Sequence, residues 1–193
     1  WMLEELIEGV EEADTNAAFI KVSTDDDEPD ALSADEEKIL RAAARAGAET
    51  GAAIGSHTLY ADLVETQLDV IEAAGYTADR FVWIHAQAEA DLDRHVEIAE
   101  RGAWIEYDWI GGEDQPDVEY VERIERLLAE GLGDRILLSQ DRGWYDPSEP
   151  RGGEVTPYTY LTEEFLPALR EAGIDEATIR RLTEDNPFDA FAR

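Results

Sequence analysis

Five side chains with the chemistry of metal ligands lie at the ends of short apolar runs in this sequence. They are Lys21, His57, His85, Asp108 and Asp141. Histidine and aspartate bind Zn²⁺, Mn²⁺ or Co²⁺, and an open coordination position on such a metal generates hydroxide near neutral pH. Two histidines, a lysine and two aspartates at equivalent positions therefore predict a metal site built from residues that are distant in the sequence.

The lysine is the unusual member of this set. The chain has 16 lysine and arginine residues, of which only Lys21 and Lys38 are lysines. Burial lowers the pKa of a lysine, and the neutral amine can react with carbon dioxide to form a carbamate that bridges two metals. An ion pair with the acids between Asp25 and Glu28 explains the same lysine equally well. The spacing alone leaves both interpretations open.

The runs that carry these residues have the pattern of strands that are buried on both faces. They are the near-continuously apolar segments 17–23, 51–57, 80–86, 102–108 and 134–141. Segments with helical spacing of apolar residues, each ending at glycine, lie between them at 33–51, 61–75, 88–102 and 117–133. The first of these begins with a capping box at Ser33 and Glu36. The alternation predicts a parallel α/β sheet, whose carboxyl edge collects the candidate ligands.

The third histidine of the chain, His95, lies inside the predicted helix 88–102 rather than at the end of a strand. We therefore expect it to have a packing or solvated role and not to bind a metal.

Composition restricts the classes of partner. The 193 residues include 47 acidic side chains and have a formal net charge of −31, which repels nucleic acids and anionic membranes. Such an acidic surface with little lysine is typical of salt-loving organisms, and an ordinary acidic enzyme is the alternative. The sequence has no cysteine and no apolar run of about 18 residues, so neither disulfides nor a membrane span are expected. The acidic segment 1–14 is unlike a signal peptide, which favours a cytoplasmic protein.

The order of these motifs resembles the phosphotriesterase family of the amidohydrolase superfamily, whose members are metal-dependent (β/α)8-barrel hydrolases. The residues that carry the resemblance are 17–25, 36–58, 81–108, 134–141 and 165–192, so it extends along essentially the whole chain. It implies an α/β fold of the TIM-barrel type and a reaction in which a metal-activated hydroxide attacks a phosphotriester, lactone or related ester.

The resemblance also implies roles for individual residues. Lys21 corresponds to a carboxylated lysine that bridges two divalent metal ions, with zinc preferred over manganese or cobalt. His57 and His85 correspond to the imidazole ligands of one metal. Asp141 corresponds to a further ligand that accepts a proton and is the expected catalytic residue.

The sequence departs from the family pattern in three places. Ile84 stands before His85 where the family usually has glycine, and Gln140 stands before Asp141 where it usually has histidine. The His-x-His pair with which the family's first strand completes the second metal site has no counterpart here. We therefore expect a single domain, 1–193, that corresponds to strands four to eight of the barrel and holds at most one ion.

Two further expectations follow from this partial barrel. Five strands cannot close an eight-stranded barrel, so an exposed sheet edge favours self-association, for example as a homodimer. A non-catalytic fragment or degenerate relative is the alternative to an enzyme.

Aromatic residues after the last two strands are candidates for a substrate pocket. Trp109, Trp144 and Tyr145 lie in segments where loops of α/β barrels bind their substrates. A role in packing explains them equally well.

Overall fold

The computed structural model describes residues 1–10, 13, 15–24, 31–112, 115–153 and 157–193. Within these residues, five strands form one sheet. They are β1 (Ile20–Ser23), β2 (Ile54–His57), β3 (Phe81–Ile84), β4 (Trp104–Tyr107) and β5 (Ile136–Leu138). The strands lie in the order of the sequence, and every neighbouring pair is parallel. The predicted parallel α/β architecture is confirmed.

Helices connect the strands and continue beyond the last one. They are α1 (Met2–Ile7), α2 (Ala34–Thr50), α3 (Ala61–Ala73), α4 (Leu92–Glu100), α5 (Asp117–Ala129), α6 (Leu166–Glu171), α7 (Glu176–Arg180) and α8 (Asn186–Phe191). Wide π-helical turns precede α6 at Leu161–Phe165 and α8 at Arg181–Asp185. No helix in the described part of the chain is both long enough and apolar enough to cross a membrane.

Local sequence signals explain where the connecting helices begin and end. The predicted capping box is present at the start of α2, since Ser33 and Glu36 each accept a hydrogen bond from the other's backbone N–H. Gly51 ends this helix in the left-handed conformation, which glycine adopts without a steric penalty. The helix predicted at 88–102 begins later than expected, at Leu92, because the side chain of Asp91 caps it.

Alternate residues of each strand point toward the helices and form the main hydrophobic core. Ile54, Phe81, Trp83, Ile105 and Ile136 are fully buried there. This arrangement explains why the strand segments are so apolar, because burial of such side chains is the largest favourable contribution to folding.

The opposite face of the sheet, which we call the inner face, has a second and smaller core. Val82, Trp104 and Leu137 pack there against Ala190 of α8. The residues after α8 then approach the segment before β1, since Arg193 Nη2 donates a hydrogen bond to the Ala17 carbonyl at 2.8 Å. The helix α8 therefore covers part of the inner face of the sheet.

Candidate metal centre

A cleft of about 310 Å³ lies on the inner face at the carboxyl ends of the strands. It brings together all four residues predicted as metal ligands, which are Lys21, His57, His85 and Asp141. Glu106, Asp108 and Ser139 also line it. The carboxyl edge of a parallel sheet is where α/β folds place their binding sites.

The four residues reach the cleft from different positions relative to their strands. Lys21 is the second residue of β1, so the strand continues for two residues beyond it. His57 is the last residue of β2 and His85 directly follows β3. Asp141 lies three residues after β5, in an exposed segment, with a positive φ of 40°. The predicted strand ends were therefore accurate for the histidines and less accurate for Lys21 and Asp141.

His85 is held in a fixed orientation by Asp108. Its Nδ1 lies 2.8 Å from Asp108 Oδ1, and its backbone N–H donates to Asp108 Oδ2 at 3.1 Å. Because a carboxylate accepts hydrogen bonds, Nδ1 carries the proton and Nε2 is the nitrogen that can bind a metal. His85 also has a φ of 69°, a conformation that non-glycine residues adopt at a cost of about 1 kcal/mol or more. The two hydrogen bonds that His85 donates to Asp108 stabilise this strained backbone.

Gln87 in turn fixes the carboxylate of Asp108. Its Nε2 donates to Asp108 Oδ1 at 2.7 Å, and its Oε1 accepts from the backbone N–H of Asp108 at 3.1 Å. Gln87 is fully buried. Sequence reasoning missed this residue, because it follows the strand in a short 3₁₀ turn and no periodicity marks it.

The two cleft histidines lie side by side. Their ring centroids are 4.4 Å apart, and the rings are nearly perpendicular, at 84°. Trp109 packs near His85 with its ring 5.2 Å away. Two imidazoles in contact at one end of the sheet are the nitrogen ligands that transition metals prefer.

Lys21 faces acidic residues across the cleft. Partial burial lowers the pKa of its ammonium group, while the negative charges of Glu106, Asp108 and Asp141 oppose that shift. A lowered pKa increases the fraction of neutral amine. The acids at Asp25 to Glu28, which an ion-pair role for Lys21 would require, lie outside the described residues.

Glu106 is a second residue that sequence reasoning missed. Burial, together with the nearby charge of Asp108, raises the pKa of this carboxyl to about 7. Ser139 Oγ donates to its Oε1 at 3.1 Å. The signal in the sequence was a charged residue between Ile105 and Tyr107, at the position of the strand that faces away from the main core.

His95 has the packing role that its helical position predicted. It is buried, and its ring nitrogens lie 2.8 Å from Tyr107 Oη and 3.0 Å from the Glu89 carbonyl oxygen. Burial lowers its pKa to about 4. This imidazole is therefore neutral and fully hydrogen-bonded at physiological pH.

The three predicted substrate-contacting aromatics differ in position. Trp144 lines the cleft and also a neighbouring cavity of about 360 Å³, which Trp109 lines as well. We call this second space the side cavity. Tyr145 is 71% exposed and lines neither space, so its role in substrate binding stays a prediction.

Comparison with known proteins identifies the family. A sequence profile described as the phosphotriesterase family matches residues 1–191. The chain belongs to the phosphotriesterase family. The resemblance seen in the sequence is thus confirmed.

Individual family members give the extent of the similarity. The phosphotriesterase homology protein of Escherichia coli is 29% identical over 192 residues, which cover 98% of this chain and 64% of the relative. The aryldialkylphosphatase of Saccharolobus solfataricus is 26% identical, with coverage of 98% and 62%. The crystal structure of the E. coli protein, complexed with phosphate in its active site, superimposes with a TM-score of 0.84 at 26% identity and the same coverage as its sequence.

A mutant of the phosphotriesterase-like lactonase of Deinococcus radiodurans also superimposes with a TM-score of 0.84, at 29% identity over 98% of this chain and 62% of that one. The chain therefore spans less than two thirds of the length of these relatives. Its five parallel strands match the TIM barrels of the phosphotriesterase family, which confirms a partial barrel of this type.

The donor set of the cleft suits the metals used by hydrolases of this kind. Two imidazoles, one of them oriented by a carboxylate, share a cleft with Lys21 and Asp141. The described residues contain no group of three or more histidine, aspartate and glutamate side chains close enough to hold one ion.

Proposed function

We propose that the cleft is the active site of a metal-dependent hydrolase that cleaves a phosphotriester, lactone or related ester. The observation that carries the proposal is the pair of histidines at the carboxyl edge, with His85 locked by Asp108 and with Lys21 and Asp141 in the same cleft. Membership of the phosphotriesterase family supports a hydrolase. Because the chain spans only part of its relatives' length, the activity is a proposal for this protein.

The proposed ligands are Lys21 as its carbamate, His57, His85 and Asp141. In this chain they would hold at most one divalent ion, with zinc preferred over manganese or cobalt, because the His-x-His pair of the family's second site has no counterpart in the sequence. Such ions lower the pKa of bound water and polarise the oxygen of the substrate. Manganese and cobalt fit the same nitrogen and oxygen donors.

Lys21 contributes an amine that can accept carbon dioxide. Carbamate formation joins the neutral amine nitrogen to the carbon of carbon dioxide and releases one proton to solvent. Partial burial of Lys21 lowers its pKa and so favours the neutral amine that this step requires. The product is an anionic oxygen ligand in place of a cation.

Asp141 is the proposed proton acceptor. Asp141 lines the cleft, and its own backbone carbonyl accepts a hydrogen bond from Trp144 Nε1 at 3.2 Å. A carboxylate in this position can take the proton of the attacking water and release it to solvent. His85 meanwhile stays in its orientation through Asp108 and Gln87.

The names of the relatives support the class of substrate. One is an aryldialkylphosphatase and another is a phosphotriesterase-like lactonase. The proposal therefore covers phosphorus esters and lactones, with small neutral esters as the shared chemistry.

The proposal is tested by assaying one phosphotriester, one lactone and one aryl ester with zinc, manganese and cobalt. We expect hydrolysis of at least one class, and a fall in kcat of about 100-fold or more in Asp141→Asn, because general-base catalysis contributes about that much. Asp134→Asn, an exposed aspartate before β5, is the matched control and should retain activity.

If none of the three classes is hydrolysed with any of the metals, the proposal is contradicted and a non-catalytic relative is favoured. Equal activity of the Asp141 and Asp134 variants would show that Asp141 is not the proton acceptor.

A further inference from the structure

Asp141 is the proposed ligand that lies farthest from the strand that carries it. It follows β5 by three residues and has a φ of 40°. A left-handed backbone costs a non-glycine residue about 1–3 kcal/mol and persists only where the surrounding contacts hold it. Aspartate tolerates this conformation better than most residues do. The contacts around Asp141 therefore decide whether it faces the cleft and the side cavity, both of which it lines.

The side chain of Gln140 ties the residue before Asp141 to a distant part of the chain. Its Nε2 donates to the Tyr158 carbonyl at 2.7 Å, and its Oε1 accepts from the Leu161 backbone N–H at 3.1 Å. A carboxamide provides a donor and an acceptor in one group, so both hydrogen bonds form together. Gln140 is buried, which keeps water from competing for them.

The far end of this connection is anchored in the main core. Leu161 begins the π-helical turn Leu161–Phe165, which continues directly into α6. Phe165 and Leu169 on these turns are fully buried in the main core. Backbone N–H groups in the first turn of a helix have no partner within the helix, so Gln140 Oε1 pairs with one of them. The segment after β5 is thus bonded to an element that packing holds in place.

A second contact comes from the hydroxyl of Tyr158. It donates to the carbonyl of Arg142, the residue after Asp141, at 2.7 Å. Gly143 permits this approach, because a Cβ atom at its position would overlap Tyr158 Oη. Hydrogen bonds to the residues on both sides of Asp141, which are Gln140 and Arg142, therefore constrain its backbone.

We propose that Gln140 and Tyr158 are positioning residues of the metal centre, which hold Asp141 in its left-handed conformation and so direct its carboxylate into the cleft. The consequence for hydrolysis rests on the proposed function, whereas the conformation of Asp141 does not. Gln140 stands where the family usually has histidine, and this departure has a structural role in the chain.

The conformation of Asp141 is measured without metal or substrate in the full 193-residue chain. Its ¹³Cα and ¹³Cβ NMR shifts differ between a left-handed and an extended backbone. Gln140→Met keeps a long unbranched side chain and removes both hydrogen bonds, so these shifts should move toward those of an extended aspartate. Tyr158→Phe should move them less, because Tyr158 is 62% exposed and water replaces its hydrogen bond. Unchanged shifts in Gln140→Met would overturn the proposal, whatever the activity.

A double-mutant cycle on zinc affinity shows whether Gln140 acts through Asp141. Competition with a chelator would give Kd values for the parent protein, Gln140→Met, Asp141→Asn and the double variant. We expect Gln140→Met to weaken zinc binding about tenfold in the parent, as residues that orient a ligand do. In the Asp141→Asn background it should weaken binding by less than about twofold. Equal weakening in both backgrounds, or none in the parent, would contradict the proposal.

Tyr158→Phe has a matched control in Tyr76→Phe. Tyr76 Oη also donates to a backbone carbonyl, that of Ala52, at 2.7 Å. We expect Tyr158→Phe to weaken zinc binding by about threefold, the value of one modest hydrogen bond, and Tyr76→Phe to leave it unchanged. Equal losses in the two variants would show that Tyr158 has no specific part in holding Asp141.

Hydrolysis separates this inference from the proposed function. At saturating zinc, Gln140→Met should lower kcat by about tenfold and leave KM within about twofold, because the proton acceptor is displaced while substrate contacts remain. An active parent with an unchanged kcat in Gln140→Met would remove the positioning role and leave the proposed function intact. If the parent cleaves no ester but the Asp141 shifts and zinc affinity respond as expected, the proposed function fails and the positioning role stands.

Discussion

The outer helical surface and the inner cleft of this protein use charge in opposite ways. On the outside, arginines join carboxylates of neighbouring helices. Arg94 of α4 lies 2.6 Å from Asp62 and 3.0 Å from Glu65, both of α3. Arg126 of α5 lies 2.9 Å from Asp93 of α4, so the helices are linked in series. In the cleft, by contrast, the basic residue is a lysine whose ammonium is partly desolvated.

The difference shows how solvent decides what a charge contributes. On the outer surface, water and salt screen each ion pair, which is then worth about 0–1 kcal/mol. In the cleft, burial changes the ionisation itself, raising the pKa of Glu106 and lowering that of Lys21. Arginine cannot become neutral in this way, whereas lysine can. Of the two lysines among the 16 basic residues, Lys21 is the one that burial shifts toward its neutral form, whereas Lys38 is exposed on α2.

Lys21→Arg tests the difference between the two regions most directly, because it places in the cleft an arginine, the cation that forms the ion pairs of the outer surface. We expect kcat/KM to fall by more than about 100-fold, beyond the loss typical of a residue that merely supports a ligand. Lys21→Ala should lose activity to a similar degree and regain part of it when a short carboxylic acid replaces the carbamate. Lys38→Arg is the control for the same change on the surface. Unchanged turnover in Lys21→Ala would show that the lysine is not a ligand.

Asp108→Asn tests the orientation of His85. The amide cannot accept from both His85 N–H groups and from Gln87 as the carboxylate does, so we expect zinc affinity to fall by about 10–100-fold. Competition titration with a chelator measures this. Asp62→Asn makes the same chemical change on the outer surface and should leave the affinity alone. An equal effect of both substitutions would mean that overall charge, not orientation, governs binding.

Glu106→Gln tests the energetic cost of burying a carboxyl in the cleft. The pKa is about 7 in the folded protein and 4.5 in the unfolded reference, so the native state binds the proton more tightly. Protonated Glu106 therefore favours the native state. This contribution to stability is fully present below pH 4.5 and is lost as the pH rises through 7. In the metal-free protein at pH 8, Glu106→Gln should therefore increase the free energy of unfolding by about 1–3 kcal/mol.

Denaturant unfolding at pH 8 and at pH 4 measures the Glu106 effect, which should vanish at the lower pH. Glu65→Gln, on the outer surface, is the control. A destabilised Glu106→Gln variant at pH 8 would show that ionised Glu106 is well compensated in the fold.

Arg94→Gln is expected to have the smallest effect. Removing its bridges should lower the free energy of unfolding by less than about 1 kcal/mol. Thermal melts in rising KCl give a second readout, since the net charge of −31 should make the Tm of both proteins rise toward molar salt. The difference in Tm between the parent protein and Arg94→Gln should become smaller as the salt concentration rises. A Tm that does not depend on salt would leave the acidic surface unexplained.

Much of the fold was predictable because its signals are local. The apolar runs placed all five strands, and the capping box and glycine signals placed α2 correctly. The position of α8 was not predictable, since it depends on contacts between Ala190 and strand residues such as Trp104, far away in the sequence. No periodicity in one segment reports such a contact.

The candidate site shows the same division. Strand-end histidines stand out by residue type and position, and both line the cleft. Gln87 acts through hydrogen bonds to a residue 21 positions away, and the left-handed conformation of His85 has no mark in the sequence. The supporting residues therefore needed the structure, whereas the candidate ligands did not.

The most direct test of the central claim is a zinc titration of the full chain followed by ¹⁵N NMR of its three imidazoles. His57 and His85 should show large shifts of a ring nitrogen, at Nε2 in the case of His85 because Nδ1 is bonded to Asp108. His95, which is bonded to Tyr107 and the Glu89 carbonyl, is the internal control and should not change. Zinc-dependent shifts of His57 and His85 alone would support the metal centre. Unchanged resonances of those two at millimolar zinc, or a shift confined to His95, would contradict it.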